Sequence, residues 1–392
     1  MVLIMIYLDN AATTCMYKEV TESMQPYYMN IYGNPSEIYD FASKSRAAMN
    51  TARRQIAGLI NAEPNEIYFT SGGTEADNWA LIGIAEAYAS RGKHIITSCI
   101  EHHAVLNTCH YLESRGYEVT YIGVDNDGLV DIDSLKNAIR SDTILVSVMY
   151  ANNEIGTIQN ISEISRITHE YGAVFHTDAV QAYAQIPIDV KKDNIDMLSA
   201  SAHKCHGPKG IGFLYIKDGI KVNSLHFGGK QERNMRPGTE NIPAIAGFGT
   251  AAAIAAGKKE YNSRKIKQLR ELFIGRVMNE IDFVKLNGSK DHRLPGNVSL
   301  SFAYIDGEAI QIQLDLYGIC CSTGSACNAG NKIVSHVIKA INNPADYSYG
   351  TVRFTIGDDN TPAQINKTVD ALKTVVEKLR RMSSSYNTSS KK

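Results

Sequence analysis

The sequence lacks an excess of either charge, a long apolar run and an even set of cysteines. Its 40 Lys and Arg residues nearly balance its 41 Asp and Glu residues, whereas dedicated nucleic-acid-binding and membrane-surface proteins need a sizeable basic excess. No apolar stretch reaches the roughly 18–20 residues of a membrane helix, and the apolar start MVLIMIYLDN has no basic leader or cleavage site of a signal peptide. Seven cysteines, an odd number, indicate reduced thiols and not a disulfide framework. We therefore expect a cytoplasmic protein with neither membrane nor direct nucleic-acid partners.

The middle of the chain alternates between two kinds of segment. Apolar, β-branched runs predict strands buried on both faces; they are HIITSCI, EVTYIGV, TILVSVMY, AVFHTDAV, DMLSASAH and IGFLYIK. Between several of them lie segments of helical periodicity, such as AVLNTCHYLESRG and NISEISRITHEYG. This alternation predicts an α/β fold whose mainly parallel sheet is covered by helices, with the ligand beyond the carboxyl ends of the strands.

The pattern changes after about Ala244. A long Ala-rich helical stretch is followed by shorter strands and two more helices, which indicates a second, smaller α+β domain. We predict a large domain over residues 15–259 and a small domain formed by residues 1–14 and 260–381. The Ser-rich, polar segment 382–392 predicts a disordered tail.

The stretch FTSGGTEADN places two glycines between a predicted strand and a helix. Backbone N–H groups at such a turn, together with the helix N-terminus, suit a phosphate group. A structural cap by Ser71 or Thr74, with Glu75 in the first turn, explains the same letters equally well. The stretch is neither a Walker loop nor G-x-G-x-x-G, which weighs against mononucleotide and dinucleotide binding.

Two charged residues end predicted strands. Asp178 closes AVFHTDAV, where a buried carboxylate needs a cation, a ligand or a helix to cap. Lys204 follows the next strand, DMLSASAH, and either lies solvated in the turn or serves as a Schiff-base nucleophile with a lowered pKa. Parallel strands end at one sheet edge, so the two side chains are expected there together.

A cysteine-containing stretch, CCSTGSACNAGN, surrounds Cys327 with Gly, Ser and Ala. Such a loop is accessible, and a thiolate in it is able to act as a nucleophile. A zinc site is disfavoured, because the cysteine spacing lacks the paired C-x2-C arrangement and no nearby His completes a tetrahedron.

Ten motifs, taken together, resemble a known family. In chain order they are DNAATT, NPSEIY, TSGGTEADN, EHHAV, NNEIGT, HTDAVQ, SAHKCHGPKG, RPGTEN, STGSAC and VRFTIG. The sequence from about Tyr7 to about residue 380 is thereby similar to the pyridoxal-phosphate-dependent cysteine desulfurases of the NifS/IscS-like group (group I), in the class-V aminotransferase family. The resemblance implies a type I PLP-dependent transferase fold, with a mostly parallel seven-stranded sheet in the large domain, a smaller α+β domain and a homodimer.

The resemblance implies a role for each matching residue around the cofactor, pyridoxal 5'-phosphate. Lys204 would hold it covalently as a Schiff base, Asp178 would pair with the ring nitrogen, and Gln181 would contact the ring hydroxyl. His102 would stack on the ring and assist proton transfers, whereas its neighbour His103 is expected at the surface.

The phosphate and substrate contacts also follow from the resemblance. Thr74, Ser201 and His203 would bind the phosphate, joined by Thr239 from the other subunit.

Arg353 would bind the α-carboxylate of L-cysteine, with help from Asn153, which also contacts the cofactor. Cys327 would take the substrate sulfur as a persulfide and release L-alanine. A sulfur-acceptor protein, an iron–sulfur scaffold or a tRNA- or cofactor-thiolation enzyme, would collect that sulfur. From the strand alone, Arg353 would have been interpreted as half of a surface ion pair.

The sequence departs from the family pattern at three positions. Lys230 and Pro237 stand where a glycine and a serine are usual, close to Thr239. Cys205 replaces the aromatic residue that usually follows the Schiff-base lysine, and we predict that it is a buried packing substitute. Other functions that the sequence leaves open are a selenocysteine lyase, another class-V aminotransferase-type enzyme and, more distantly, a non-enzymatic thiol or metal scaffold in sulfur trafficking.

Overall fold

A computed structural model describes residues 5–323 and 334–389 of the chain. Its strands are β1 (Ile6–Tyr7), β2 (Ile67–Thr70), β3 (His94–Ser98), β4 (Glu118–Ile122), β5 (Thr143–Ser147), β6 (Val174–Asp178), β7 (Met197–Ser201), β8 (Gly212–Ile216), β9 (Val284–Leu286), β10 (Asn297–Phe302), β11 (Ile319–Cys320) and β12 (Thr351–Thr355). Its helices are α1 (Lys18–Met24), α2 (Pro26–Met29), α3 (Asp40–Leu59), α4 (Gly73–Ala87), α5 (His103–Ser114), α6 (Ile132–Ala138), α7 (Ile161–Glu170), α8 (Gln231–Asn234), α9 (Ile242–Glu280), α10 (Gly307–Asp315), α11 (His336–Ala340), α12 (Ala345–Ser348), α13 (Pro362–Met382) and α14 (Ser384–Ser389). The six runs predicted to be strands correspond to β3 through β8.

Seven of these strands form one sheet in the order β2-β8-β7-β6-β5-β3-β4. The pairs between β7, β6, β5, β3 and β4 are parallel, and β8 runs antiparallel to both of its neighbours. Every strand of the sheet except β8 therefore ends at the same edge, which we call the carboxyl edge. The predicted mostly parallel seven-stranded sheet is confirmed.

Helices cover both faces of this sheet. On one face α3, α7 and the first half of α9 bury apolar side chains such as Ile56, Ile164 and Phe248, and on the other face α4 and α5 bury Trp79 and Val105. The inner strands are buried along their whole length, so their sequences lack the apolar–polar alternation of strands with one solvated face. None of the described helices is both long and apolar enough to cross a membrane.

A second, smaller core surrounds the antiparallel sheet β12-β10-β9. Helices α10 and α13 and the second half of α9 pack on it, and Ile6 and Leu8 from the start of the chain join the same cluster. The start of the chain is held there because β1 pairs in parallel with β11, with Ile6 opposite Ile319. Helix α9 runs unbroken across the predicted boundary at residue 260, so the boundary itself stays a prediction.

Within the segment 382–392, for which disorder is predicted, the described residues include a short helix. Residues Ser384–Ser389 form α14, directly after α13 ends at Met382. An aromatic side chain packs there: the Tyr386 ring lies 6.1 Å from that of Phe283 and 5.9 Å from that of Tyr304. A composition-based prediction of disorder misses a single aromatic anchor of this kind.

Candidate active site

A cavity of about 360 Å³ opens at the carboxyl edge of the seven-stranded sheet. Nine of the residues predicted for the site line it; they are Thr74, His102, Asn153, Asp178, Gln181, Ser201, His203, Lys204 and Arg353. Most of them follow the ends of β2, β3, β5, β6 and β7, so the parallel topology brings distant motifs together. Ligands of open α/β sheets bind at this edge.

Two predicted residues do not line the cavity. Cys327 lies in residues 324–333, outside the described residues. Thr239 is exposed and lies away from the cavity, so a role toward the phosphate of a second subunit stays a prediction. The segment before Thr239 is held by two ion pairs, Glu232 with Arg53 at 2.6 Å and Arg236 with Glu75 at 2.8 Å.

Lys204 is half-buried and its amine points toward the chain's first loop. Its Nζ donates hydrogen bonds to the carbonyl oxygens of Ala11 at 2.5 Å and Ala12 at 2.7 Å. Burial, with a smaller contribution from the nearby Arg353 guanidinium, lowers the pKa of Lys204 to about 8. The solvated-turn interpretation is therefore wrong, and this amine reaches its nucleophilic neutral form near neutral pH.

Cys205, next to the lysine, is 3% exposed and its thiol donates to the carbonyl oxygen of Ala202 at 3.2 Å. Burial raises the pKa of Cys205 to about 12. The predicted buried position of this residue is confirmed, and such a thiol is chemically inert at neutral pH.

Asp178 ends β6 and is 5% exposed. One of its oxygens accepts a hydrogen bond from the backbone N–H of Val180 at 2.9 Å. Burial raises the pKa of Asp178, while His102 and Lys204 act in the opposite direction. A buried carboxylate with so few partners is suited to a cationic group in the cavity, which is the role predicted for it.

His102 precedes α5 and presents its ring to the cavity. Its Nδ1 accepts the backbone N–H of Ala104 at 3.1 Å, which leaves Nε2 as the protonated ring nitrogen of the neutral form. Desolvation lowers the pKa of His102, against the attraction of Asp178. The neighbouring His103 is exposed, as predicted.

The N-terminus of α4 faces the cavity. Gly72 is its N-cap and no side chain caps it, so the alternative of a cap by Ser71 or Thr74 is wrong. Glu75 accepts the backbone N–H of Ser71 at 2.8 Å. A Cβ added to Gly73 would lie 2.6 Å from a methyl group of Val180, so glycine is required for the close approach of this turn. The free N–H groups of the helix provide an anion site.

Three further side chains surround that turn and the lysine. Ser201 ends β7 and is buried, and the His203 ring lies 3.2 Å from the Thr13 hydroxyl through its Nδ1. Burial and the neighbouring Lys204 lower the pKa of His203 to about 4, so this imidazole is neutral. Gln181 donates to the carbonyl oxygen of Ala11 at 3.0 Å.

Arg353 enters the cavity from β12, in the smaller sheet, and is 8% exposed. Its Nη2 donates to Asp9 at 2.9 Å and its Nη1 donates to the carbonyl oxygen of Asn153 at 2.9 Å. Its Nε is buried with no hydrogen-bond partner among the described residues. The surface-pair interpretation of Arg353 is wrong, and one donor of its guanidinium remains available for an anion.

Two acidic residues of the site were not predicted. Asp9 is the ion-pair partner of Arg353, and Asp77, on α4, lines the cavity behind Asp178. Both lie within motifs already singled out, DNAATT and TSGGTEADN. Asp77 follows Thr74 by three residues, a spacing that places both on one side of a helix and was a usable signal.

These residues fit pyridoxal phosphate. The lysine amine of lowered pKa suits a Schiff base, and the buried Asp178 carboxylate suits a ring cation. The close-packed Gly73 at the start of α4 suits a phosphate, and the unpartnered donor of Arg353 suits a carboxylate. The cavity volume lies in the usual range for small-molecule sites.

Comparison with known proteins agrees with this geometry. The model of the family "Aminotransferase class-V" matches residues 6–368. The cysteine desulfurase IscS of Dictyoglomus turgidum is 50% identical over 378 residues, which cover 96% of this chain and 96% of that protein. Among solved structures, a NifS-like protein has a TM-score of 0.90 at 35% identity, covering 96% of this chain and 100% of its own. A structure described as SspA in complex with cysteine has a TM-score of 0.80 at 36% identity, with coverages of 91% and 99%.

The fold and the site together define a pyridoxal-phosphate-dependent enzyme of fold type I. The chain belongs to the class-V aminotransferase family. Its family membership and its cofactor site set aside the non-enzymatic scaffold that the sequence left open.

Proposed function

We propose that this chain is a cysteine desulfurase, which converts L-cysteine to L-alanine and transfers the sulfur to an acceptor protein. The observation that carries the proposal is the convergence of Lys204, Asp178 and Arg353 in one cavity. The names of the relatives, cysteine desulfurase IscS, support the same reaction.

Pyridoxal phosphate supplies an electron sink that makes the α-proton of a bound amino acid removable. Lys204 would hold it covalently, and the free amine of Lys204 would be able to hold and move a proton. Asp178 would hold the proton on the ring nitrogen, Gln181 would contact the ring hydroxyl, and His102 would stack on the ring. The neutral His102, with its Nε2–H toward the cavity, assists proton transfer.

The phosphate is bound by the N-terminus of α4 with Thr74, Ser201 and His203. Because His203 is neutral, it contributes a hydrogen bond and no charge, and the helix N-terminus supplies the positive potential. Thr239 of a second subunit completes the phosphate site in a homodimer. The exposure of Thr239 and the two ion pairs that hold its segment support this arrangement.

L-Cysteine is oriented by its α-carboxylate. Arg353 binds that carboxylate through its unpartnered Nε and through Nη2, which the Asp9 carboxylate shares. Asn153 lines the same side of the cavity and holds Arg353 through its carbonyl oxygen.

Cys327 accepts the sulfur. Its thiolate attacks the substrate sulfur, an S–S bond forms, and the bond between that sulfur and the substrate Cβ breaks. The electron pair of the broken bond stays on Cβ, which takes up one proton, equivalent to the one lost when the Cys327 thiol ionises, and becomes the methyl group of alanine; the persulfide is left on Cys327. An acceptor protein of iron–sulfur cluster assembly, or of tRNA or cofactor thiolation, then collects it in the cytoplasm.

The test measures alanine and protein-bound persulfide from L-cysteine in the wild type and in Cys327→Ala. We expect persulfide to disappear and alanine turnover to fall by about a hundredfold or more in the variant. Cys321→Ala is a matched control, because this neighbouring thiol is buried and its pKa is raised to about 12 by burial. Full turnover of Cys327→Ala would contradict the proposal. Parallel kinetics with L-selenocysteine distinguish a selenocysteine lyase.

A further inference from the structure

A second carboxyl group lies directly behind Asp178. Asp77, on the first turns of α4, is 1% exposed, and atoms of Asp77, Asp178 and His102 all lie within 4.8 Å of one another. The nearby Ser199 hydroxyl favours the ionised form of the Asp77 carboxyl, and Asp77 Oδ1 is buried without a hydrogen-bond partner among the described residues. An orphaned, wholly buried carboxyl oxygen beside a cofactor site calls for an explanation.

The groups that face Asp77 come from two elements. From β6 these are Asp178 and His176, whose Nε2 lies 3.8 Å from Asp77 Oδ1; from the segment before α5 they are Glu101 and His102. His176 is neutral, because complete burial lowers its pKa to about 3, and it hydrogen-bonds Ser hydroxyls on β5 and β7. Glu101 is itself buried, and burial raises its pKa to about 8.

Two buried carboxyl groups this close do not both ionise. Asp178 has the nearby Lys204 amine to stabilise its negative charge, and it accepts the backbone N–H of Val180. Asp77 has Ser199 only, and the charges that act on it, those of Asp178 and Glu101, oppose its ionisation. The proton of the pair therefore resides on Asp77.

We propose that Asp77 is a positioning residue of the cofactor site, present as the neutral acid, whose proton leaves Asp178 as the ionised partner of the cofactor's ring nitrogen. This inference rests on the role proposed for Asp178.

The test measures binding of pyridoxal phosphate to cofactor-free protein and the absorbance of the bound cofactor from pH 6 to pH 9. Asp77→Asn keeps the shape of the side chain and is permanently neutral. We expect its Kd to stay within about threefold of the wild type and its absorbance titration to coincide, whereas Asp178→Asn weakens binding by about a hundredfold. Asp77→Ala, which removes the partner of Ser199, weakens binding by about tenfold.

Asp196→Asn is the matched control. Asp196 is also buried and also paired with an imidazole, His169 at 2.6 Å, but it lies just before β7 at the opposite edge of the sheet. Its variant is expected to leave the Kd of the cofactor unchanged.

Two results would overturn the inference. If Asp77→Asn loses affinity as Asp178→Asn does, Asp77 acts through a negative charge. If Asp77→Ala binds and titrates like the wild type, Asp77 has no role in the site. Neither result bears on sulfur transfer, whereas unchanged binding in Asp178→Asn would instead contradict the proposed cofactor site.

Discussion

The two ends of the active-site cavity are built in different ways. At the cofactor end, Asp178, Ser201 and Lys204 follow adjacent parallel strands of one sheet and are fixed by a buried core. At the substrate end, Arg353 from the smaller sheet is held by Asp9 and by the carbonyl oxygen of Asn153. Asp178, Ser201 and Lys204 are thus positioned by local topology, whereas Arg353 is positioned by contacts between distant parts of the chain.

The two ends of the cavity also differ in how their charged groups are paired. The acidic group of the cofactor end, Asp178, has no direct ion-pair partner within 4.0 Å among the described residues and is suited to a cation that the cofactor brings. Arg353 already has a counter-ion in Asp9, with which the carboxylate of the proposed substrate would compete. The carboxylate at the cofactor end therefore lacks a direct counter-ion among the described residues, whereas the guanidinium at the substrate end already has one.

The largest effect is expected from Lys204→Ala, at the cofactor end. Without the amine, alanine formation falls by about a thousandfold or more. The measurements are alanine release and the absorbance change on borohydride treatment, which reports a covalently held cofactor. Lys209→Ala, an exposed lysine of the same Gly-Pro-Lys-Gly turn, is the control. A borohydride-sensitive cofactor band in Lys204→Ala would refute the assignment.

At the substrate end, Arg353→Lys is expected to raise the KM for L-cysteine by about thirtyfold, with a smaller change in kcat. A lysine lacks the planar fork that binds a carboxylate through parallel donors. Steady-state kinetics separate the two constants. A lower kcat at unchanged KM would mean that Arg353 acts on the reacting atoms and not on substrate binding.

The pKa of Lys204 depends on charged groups at both ends of the cavity. Because burial and Arg353 lower that pKa to about 8, the neutral amine increases as pH rises through 8. The rate at which cofactor-free protein captures pyridoxal phosphate should rise about tenfold from pH 7 to pH 9 and then level off. In Arg353→Gln the midpoint should move to higher pH, since a positive neighbour is lost. A midpoint that moves down would contradict this.

Asp9→Asn tests the competition at the substrate end. Removing the counter-ion frees Arg353, so the KM for L-cysteine should fall by about fivefold. Asp9 also favours the charged form of Lys204, so the midpoint of cofactor capture should shift to lower pH. A higher KM would show that Asp9 positions Arg353 and does not compete for it.

The smallest effect on activity is expected from Cys205→Ala. The buried thiol touches the backbone of the cofactor end and takes no chemical part, so alanine formation should stay unchanged. Loss of packing should lower the free energy of unfolding by about 1 kcal/mol, measured by denaturant titration. A loss of persulfide transfer would give Cys205 a role in sulfur chemistry.

The cofactor end was predictable and the substrate end less so. Strands with continuous apolar runs indicated a parallel sheet, and parallel strands necessarily bring Asp178 and Lys204 to one edge. Asp9 was missed because its pairing with Arg353 depends on how β12 packs beside the start of the chain, which no local pattern encodes. Asp77 was missed because a polar residue within a helix is usually solvated, and only its burial against β6 and β7 distinguishes it.

The pairing of β1 with β11 joins two segments that are synthesised at different times. Ile6 emerges early in synthesis, but its partner Ile319 follows only after most of the chain has been made. At usual rates of translation this interval is roughly 15–60 s. All seven strands of the large sheet, the last of which ends at Ile216, are synthesised within that interval. The nascent chain thus contains Asp178 and Lys204 well before it contains Arg353.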